Sequence, residues 1–261
     1  MEENLAEAIL KRDRWVVLIG LLAVVLLSWT YTIYLTEQMG NSLSGMAIVS
    51  PHTGIWTIAS FLMYFLMWSV MMVAMMTPSA APMLLFYAKI IRQKQPEHKP
   101  YLKTGLFLLG YLIVWIGFSA AATLVQWTLH NASLVSMEVV RAAPILGGII
   151  LIFAGAFQFS QLKNACLTHC RSPVGFIMTD WREGDRGAVK MGIKHGFYCV
   201  GCCWLLMALL FVAGVMNLMW MAIISTFVLV EKIVPAGDRI SRYAGVLFIL
   251  WGIWSILAEI F

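Results

Sequence analysis

Two short groups of cysteine residues carry the clearest chemistry in this chain. The segments CLTHC and KHGFYCVGCC contain all of them, namely Cys166, Cys170, Cys199, Cys202 and Cys203. A thiolate is a soft metal ligand and is also the form of cysteine that attacks a disulfide. The residue types therefore indicate either a soft-metal site or a thiol redox site.

The second group places three cysteines and a histidine on one side of a predicted helix. At about 100° per residue, His195, Cys199, Cys202 and Cys203 fall within an arc of about 100°. A single cysteine in an apolar helix usually packs as a small hydrophobic residue. Three of them on one arc, above a histidine, favour a metal-binding face instead.

The first group has a spacing that also suits a helix. Cys166 and Cys170 are four residues apart, so a helix projects both sulfurs from one side, with His169 about 60° from Cys166. Lys163 and Arg171 flank the group, and nearby cations favour the thiolate form. The sequence does not show whether this group faces the second one, and the metal hypothesis depends on that contact.

A methionine-rich run supplies further candidate ligands. It reads MYFLMWSVMMVAMMTPSAAPM and includes Met71, Met75 and Met76. Thioethers suit Cu(I) and bind zinc, magnesium or calcium poorly, although a methionine stripe at helical spacing usually means packing. Pro78 and Pro82 each remove a backbone donor, so carbonyl groups near them need another partner.

Few polar residues interrupt the apolar runs. Gln158 precedes the first cysteine group by about two turns, and Glu231 with Lys232 closes a later apolar run. We expect Gln158 to bond to a neighbouring helix. Two interpretations of Glu231 stay open. It neutralises Lys232 or reaches the headgroups, or it supports the site by orienting a ligand histidine or accepting a proton.

The composition is that of an integral membrane protein. Of 261 residues, 61% are hydrophobic and 12% are charged, and the mean hydropathy is +0.83. Because a bilayer core needs roughly 20 apolar residues per helix, we expect an all-α polytopic bundle of about seven transmembrane helices, with six left open. The predicted spans are 15–35, 55–90, 102–129, 142–162, 191–211, 216–230 and 243–260, the second of them kinked.

The basic residues predict the orientation of this bundle. With seven spans and a cytoplasmic amino terminus, only Arg141 of 18 Lys and Arg residues falls on the outer side. Residues 1–14 then form an amphipathic cytoplasmic segment, and 15–261 form one transmembrane domain. Both cysteine groups lie on the reducing side, where thiols stay free. The net charge of +5 reflects topology and attraction to the lipid bilayer, and nothing further supports nucleic-acid binding.

Three segments resemble the bacterial family of predicted metal-binding integral membrane proteins, long classed as a domain of unknown function. They are MWSVMMVAMMTPSAAPM at 67–83, GAFQFSQLKNACLTHCRSP at 155–173 and GIKHGFYCVGCCWLLM at 192–207. The resemblance covers nearly the whole chain after Trp56 and implies a multi-pass, metal-binding protein of the bacterial inner membrane. The motif residues carry over to Cys166, Cys170, Cys199, Cys202, Cys203, Met71, Met75, Met76 and Glu231.

These features favour a membrane protein that holds Cu(I) on its cysteines, with methionine support, for transport, sensing or exchange of metal with a protein partner. Zinc is the second metal, since cysteine with histidine also builds tetrahedral sites. One alternative is a thiol–disulfide redox protein that cycles Cys202 with Cys203, or Cys166 with Cys170. Another is a structural subunit of a larger membrane complex. No catalytic residue is assigned, a binding role is favoured over an enzymatic one, and the oligomeric state stays open.

Overall fold

The computed structural model describes most of the chain. The described residues are 2–42, 57–94, 100–132, 135–136 and 141–261, with side chains described over 14–37, 57–94, 101–132 and 143–261. Within these ranges the fold is a bundle of helices, as predicted. The exception is a two-residue antiparallel pair, β1 (Val135–Ser136) and β2 (Arg141–Ala142).

Ten helices follow one another in the described ranges. They are α1 (Glu2–Ser42), α2 (Ile58–Lys94), α3 (Pro100–Asn131), α4 (Pro144–Phe157), α5 (Gln161–Arg171), α6 (Pro173–Asp180), α7 (Gly184–Ala208), α8 (Leu210–Ala213), α9 (Leu218–Ile233) and α10 (Gly237–Ile260). The segment predicted to lie on the membrane surface, 1–14, belongs to the helix α1 from Glu2 onward, but its side chains before Arg14 lie outside those described. Its separation from the transmembrane domain stays a prediction.

Five described helices are long and apolar enough to cross a membrane, and there are six if the bent pair α4 and α5 counts as one span. The count of six equals the lower of the two predicted numbers, six and seven. The predicted span 142–162 breaks after Phe157, where the helix axis bends by 65°. The predicted span 216–230 is α9, which has 16 residues and is therefore shorter than the roughly 20 that a full crossing needs.

The methionine-rich helix α2 runs without interruption through Pro78 and Pro82. Side-chain hydroxyls bond to its carbonyl groups close to the first proline. The Ser225 hydroxyl donates to the Met75 carbonyl at 2.9 Å, and the Ser79 hydroxyl donates to the Met76 carbonyl at 2.9 Å. Such bonds let a membrane helix tolerate proline, and the first of them also ties α9 to α2.

Glycines bring two helix pairs into close contact. A Cβ atom on Gly192 of α7 would overlap the carbonyl oxygen of Phe107 in α3. Likewise, a Cβ atom on Gly155 of α4 would lie 2.6 Å from the carbonyl oxygen of Gly245 in α10. Small residues allow such close approach in membranes, where packing rather than hydrophobic burial joins helices. The α3–α7 contact fixes the helix that carries three of the cysteines.

Candidate metal centre

The middle of α7 presents a buried face of sulfur and imidazole groups. His195, Cys199, Cys202 and Cys203 are 1%, 0%, 2% and 0% exposed, so they share one buried face, as the helical spacing predicts. The thiols of Cys202 and Cys203 donate to the Cys199 carbonyl oxygen at 3.1 and 2.9 Å. All three sulfurs are therefore held around the same turn of helix.

The bend between α4 and α5 brings the first cysteine group against this face. α5 begins after Ser160, whose side chain accepts from the Lys163 backbone N–H, and it packs across α7. The Cys170 thiol lies close to the thiols of Cys199 and Cys202. The Cys203 thiol lies close to the same two thiols. Cys170, Cys199, Cys202 and Cys203 thus form one buried group, hereafter the thiol cluster, and all are free thiols.

Cys166 lies at the edge of the thiol cluster. It is the one half-buried cysteine of the chain, since the other four are buried. Its sulfur rests on Gly201 of α7, where an added Cβ atom would lie 2.7 Å from it, and Cys202 is the next residue along α7. Glycine at this position therefore makes room for the Cys166 side chain beside the cluster.

Two polar side chains contact the Cys199 sulfur. The sequence patterns do not indicate either of them as part of the site. The Lys232 ammonium at the end of α9 lies 3.0 Å from the Cys199 Sγ and donates to the Ser79 hydroxyl at 3.0 Å. The Tyr111 hydroxyl lies 3.1 Å from the same sulfur and donates to the Met76 carbonyl at 3.0 Å. The position of Lys232 next to Glu231 was the sole signal in the sequence, and Tyr111 gave none.

Glu231 takes part in a separate buried network. Its carboxylate accepts from the Lys163 ammonium at 2.6 Å, and both side chains are 1% exposed. Lys163 also donates to Gln158, and the Ser241 hydroxyl donates to Glu231. Gln158 thus bonds to Lys163, five residues further along the chain, and a bond to a helix distant in sequence stays a prediction. The interpretation that Glu231 neutralises Lys232 is wrong, because Lys163 holds the carboxylate instead.

The two histidines differ in their relation to the thiol cluster. The His169 ring stacks on Tyr198, with centroids 4.3 Å apart and an interplanar angle of 16°, and its Nδ1 lies 2.9 Å from the Ala165 carbonyl oxygen. Ligation by His169 stays a prediction. His195 lies one helical turn from Cys199, and its Nδ1 is buried without a hydrogen-bond partner. That free nitrogen keeps His195 a candidate ligand.

The candidate methionines are part of the hydrophobic core. Met71, Met75 and Met76 are 1%, 0% and 0% exposed and pack in the same buried cluster as the cysteines. Met76 is linked to the thiol cluster through its backbone, since its carbonyl oxygen accepts from Tyr111. The structure therefore explains these methionines by packing and leaves ligation as a prediction.

The donors around Cys199 suit a soft metal ion, although they are not preset for one. In the part of the chain that the structure describes, no group of three or more His, Cys, Asp and Glu side chains has metal-holding geometry. The thiols of Cys202 and Cys203 instead donate to the Cys199 carbonyl oxygen, and the Cys199 sulfur accepts from Lys232. A metal bound here would displace thiol protons and draw the sulfurs together, as expected for ligands that must be deprotonated.

A family comparison bears directly on this arrangement. The sequence model of the PpoB2 family, described as a copper chaperone, matches residues 65–255. The chain belongs to the PpoB2 copper-chaperone family. The matched part of this PpoB2 chain begins within α2, ends within α10 and includes the whole thiol cluster with Lys232 and Tyr111. No curated protein and no solved structure matches the chain.

Proposed function

We propose that this PpoB2 protein is a membrane copper chaperone that carries Cu(I) on the thiol cluster. One observation carries the proposal: Cys170 of α5 lies close to Cys199 and Cys202 of α7 in one buried cluster. Two cysteine groups that are separate in sequence thereby supply one set of sulfur donors. Membership in a copper-chaperone family indicates that the metal is copper.

The chemistry of the donors favours Cu(I) over zinc as the cargo. Thiolates are soft ligands that select Cu(I), and thioethers of the kind found in Met75 and Met76 suit it as well. The cluster is buried among apolar side chains, which keeps water and oxidants away from bound Cu(I). Zinc is the second metal, and it requires a closed tetrahedral set of four ligands. The four thiols of the cluster would have to turn inward together to provide that set.

Cys166 is suited to take cargo from a donor thiol. The step is an exchange of ligands in which copper stays Cu(I). The sulfur of Cys166 binds the ion, the bond to the donor thiolate breaks, and the leaving thiolate takes the proton that Cys166 gives up. Cys202 lies beside Cys166 and receives the ion by the same exchange. Copper then passes from the edge of the cluster to its buried members.

The proposed setting is the cytoplasmic side of the bacterial inner membrane. Arg171, next to Cys170, donates to Asp238 at 2.6 Å and to the carbonyl oxygens of Val234 and Pro235. These bonds attach α5 to the turn between α9 and α10. Basic residues concentrate on the cytoplasmic side of membrane proteins, so a cluster beside them faces a reducing compartment and a soluble donor or acceptor protein.

Copper titration of the purified protein under reducing conditions tests the proposal. We expect the wild type to bind Cu(I) in competition with a chelator, and Cys170→Ser, which lacks one sulfur donor, to lose at least about tenfold in affinity, or about 1.4 kcal/mol. His169→Ala, in the same turn of α5 but stacked on Tyr198, is the matched control and should bind as the wild type does. Equal affinity in the wild type and Cys170→Ser would reject the thiol cluster as the site.

Thiol–disulfide exchange is the second candidate function. Cys199 and Cys202 have the C-x-x-C spacing of many redox proteins, and the Cys170 thiol lies close to both. Trapping of thiols in cells separates the two functions. A redox protein shows a standing oxidised fraction among these cysteines, whereas a copper chaperone on the reducing side keeps all of them as thiols.

A further inference from the structure

Lys232 is a buried cation that faces sulfur rather than a carboxylate. It is 7% exposed, and its Nζ atom donates to the Ser79 hydroxyl and to the Cys199 Sγ. The carboxylate next to it in sequence, Glu231, is bound by Lys163, and none of the ion pairs among the described side chains includes Lys232. A buried ammonium without an anion is costly. A negative charge on the neighbouring thiols would therefore stabilise the buried ammonium.

We propose that Lys232 is the counter-charge of the copper–thiolate complex. This inference rests on the proposed function. Cu(I) with two thiolates is a monoanion, and the Lys232 ammonium makes the site neutral, which a low-dielectric interior favours. Zinc with the four thiolates of a closed site is a dianion, which one ammonium compensates only in part.

The surroundings of Lys232 hold the ammonium in place before any metal arrives. Ser79, which accepts from Lys232, donates in turn to the Met76 carbonyl oxygen. The Ser225 hydroxyl, two turns earlier on α9, donates to the Met75 carbonyl oxygen at 2.9 Å. The end of α9 is therefore anchored to α2 at two levels. A charge fixed in this way stabilises a complex without reorganising when it forms.

Cu(I) and Zn(II) affinities of Lys232 variants test the inference. The full-length protein in detergent is titrated with each metal against a competing chelator under reducing conditions. We expect Lys232→Met to lose at least about tenfold in Cu(I) affinity and at least as much in Zn(II) affinity, because the zinc–thiolate complex carries the larger negative charge. Lys232→Arg retains the charge and should remain within about threefold of the wild type. Lys194→Met removes a lysine that pairs with Asp180 on the surface of the same bundle and should change neither affinity.

The outcomes separate the inference from the function beneath it. A wild type that binds no Cu(I) overturns the proposed function and the inference with it. A wild type that binds Cu(I) while Lys232→Met binds it within about twofold overturns the inference alone. If Lys232→Met does not fold, Ser79→Ala decides, because it keeps the charge but frees the ammonium from one partner. A loss of about threefold supports the inference, and an unchanged Cu(I) affinity contradicts it.

Discussion

The Lys232 ammonium lies 3.0 Å from the Cys199 sulfur, while the neighbouring Glu231 carboxylate lies 2.6 Å from the Lys163 ammonium. Adjacent residues on a helix point about 100° apart, so the end of α9 supplies opposite charges to two separate buried sites. One site contains the thiols, and the other ties α9 to α5. The position of the thiol cluster therefore depends on an ion pair that contains no sulfur.

Breaking that ion pair from one side should destabilise the protein strongly. Lys163→Met leaves the buried Glu231 carboxylate without its cation, which costs about 3 to 5 kcal/mol of unfolding free energy. The double variant Lys163→Met, Glu231→Gln removes both charges and should recover most of the loss. Thermal unfolding in detergent measures both. Equal stability of the single and the double variant would show that the pair does not hold α5 and α9 together.

The close contact between α3 and α7 should tolerate no side chain at Gly192. Gly192→Ala places a methyl group against the Phe107 carbonyl oxygen, so the helices must separate, and we expect a loss of at least about 2 kcal/mol in unfolding free energy. Gly117→Ala is the control on α3, where an added Cβ atom meets nothing within 4 Å. It should leave the stability unchanged or raise it by up to about 1 kcal/mol. A Gly192→Ala protein as stable as this control contradicts the described packing.

Cys166 should be the first cysteine to react with a thiol reagent. It is half-buried, whereas the other four cysteines are buried, so we expect maleimide to label it at least about tenfold faster than any of them, because thiol reactivity requires access. Mass spectrometry of partly labelled protein identifies the site. Labelling spread evenly over several cysteines would contradict the route by which copper is proposed to reach the cluster.

The sequence predicts much of the fold, because helical periodicity and apolar length are local properties. It predicts the all-α bundle and the shared face of Cys199, Cys202 and Cys203 for that reason. The break after Phe157 is not predicted, because no proline or charge marks the bend. The partner of Glu231 is not predicted either, because two lysines, Lys163 and Lys232, could pair with it and only tertiary packing determines which one does.

The site is predicted less completely, because it is assembled from helices distant in sequence. The cysteines are recognisable as candidate ligands from their residue type alone. Tyr111 and Ser79 lie in apolar helices, and only the packing of those helices shows that they belong to the site. His169 shows the reverse case. Its spacing from Cys166 suggests a ligand, yet its ring is stacked on Tyr198, a contact that residue spacing within α5 does not reveal.

Copper K-edge X-ray absorption of the Cu(I)-loaded, full-length protein tests the central claim most directly. If the thiol cluster holds the ion, the nearest shell around copper consists of sulfur, and Cys199→Ser, which removes the sulfur bonded to Lys232 and Tyr111, changes that shell or abolishes loading. A shell of nitrogen or oxygen, or a sulfur shell that is the same in Cys199→Ser as in the wild type, would contradict the assignment of copper to these thiols.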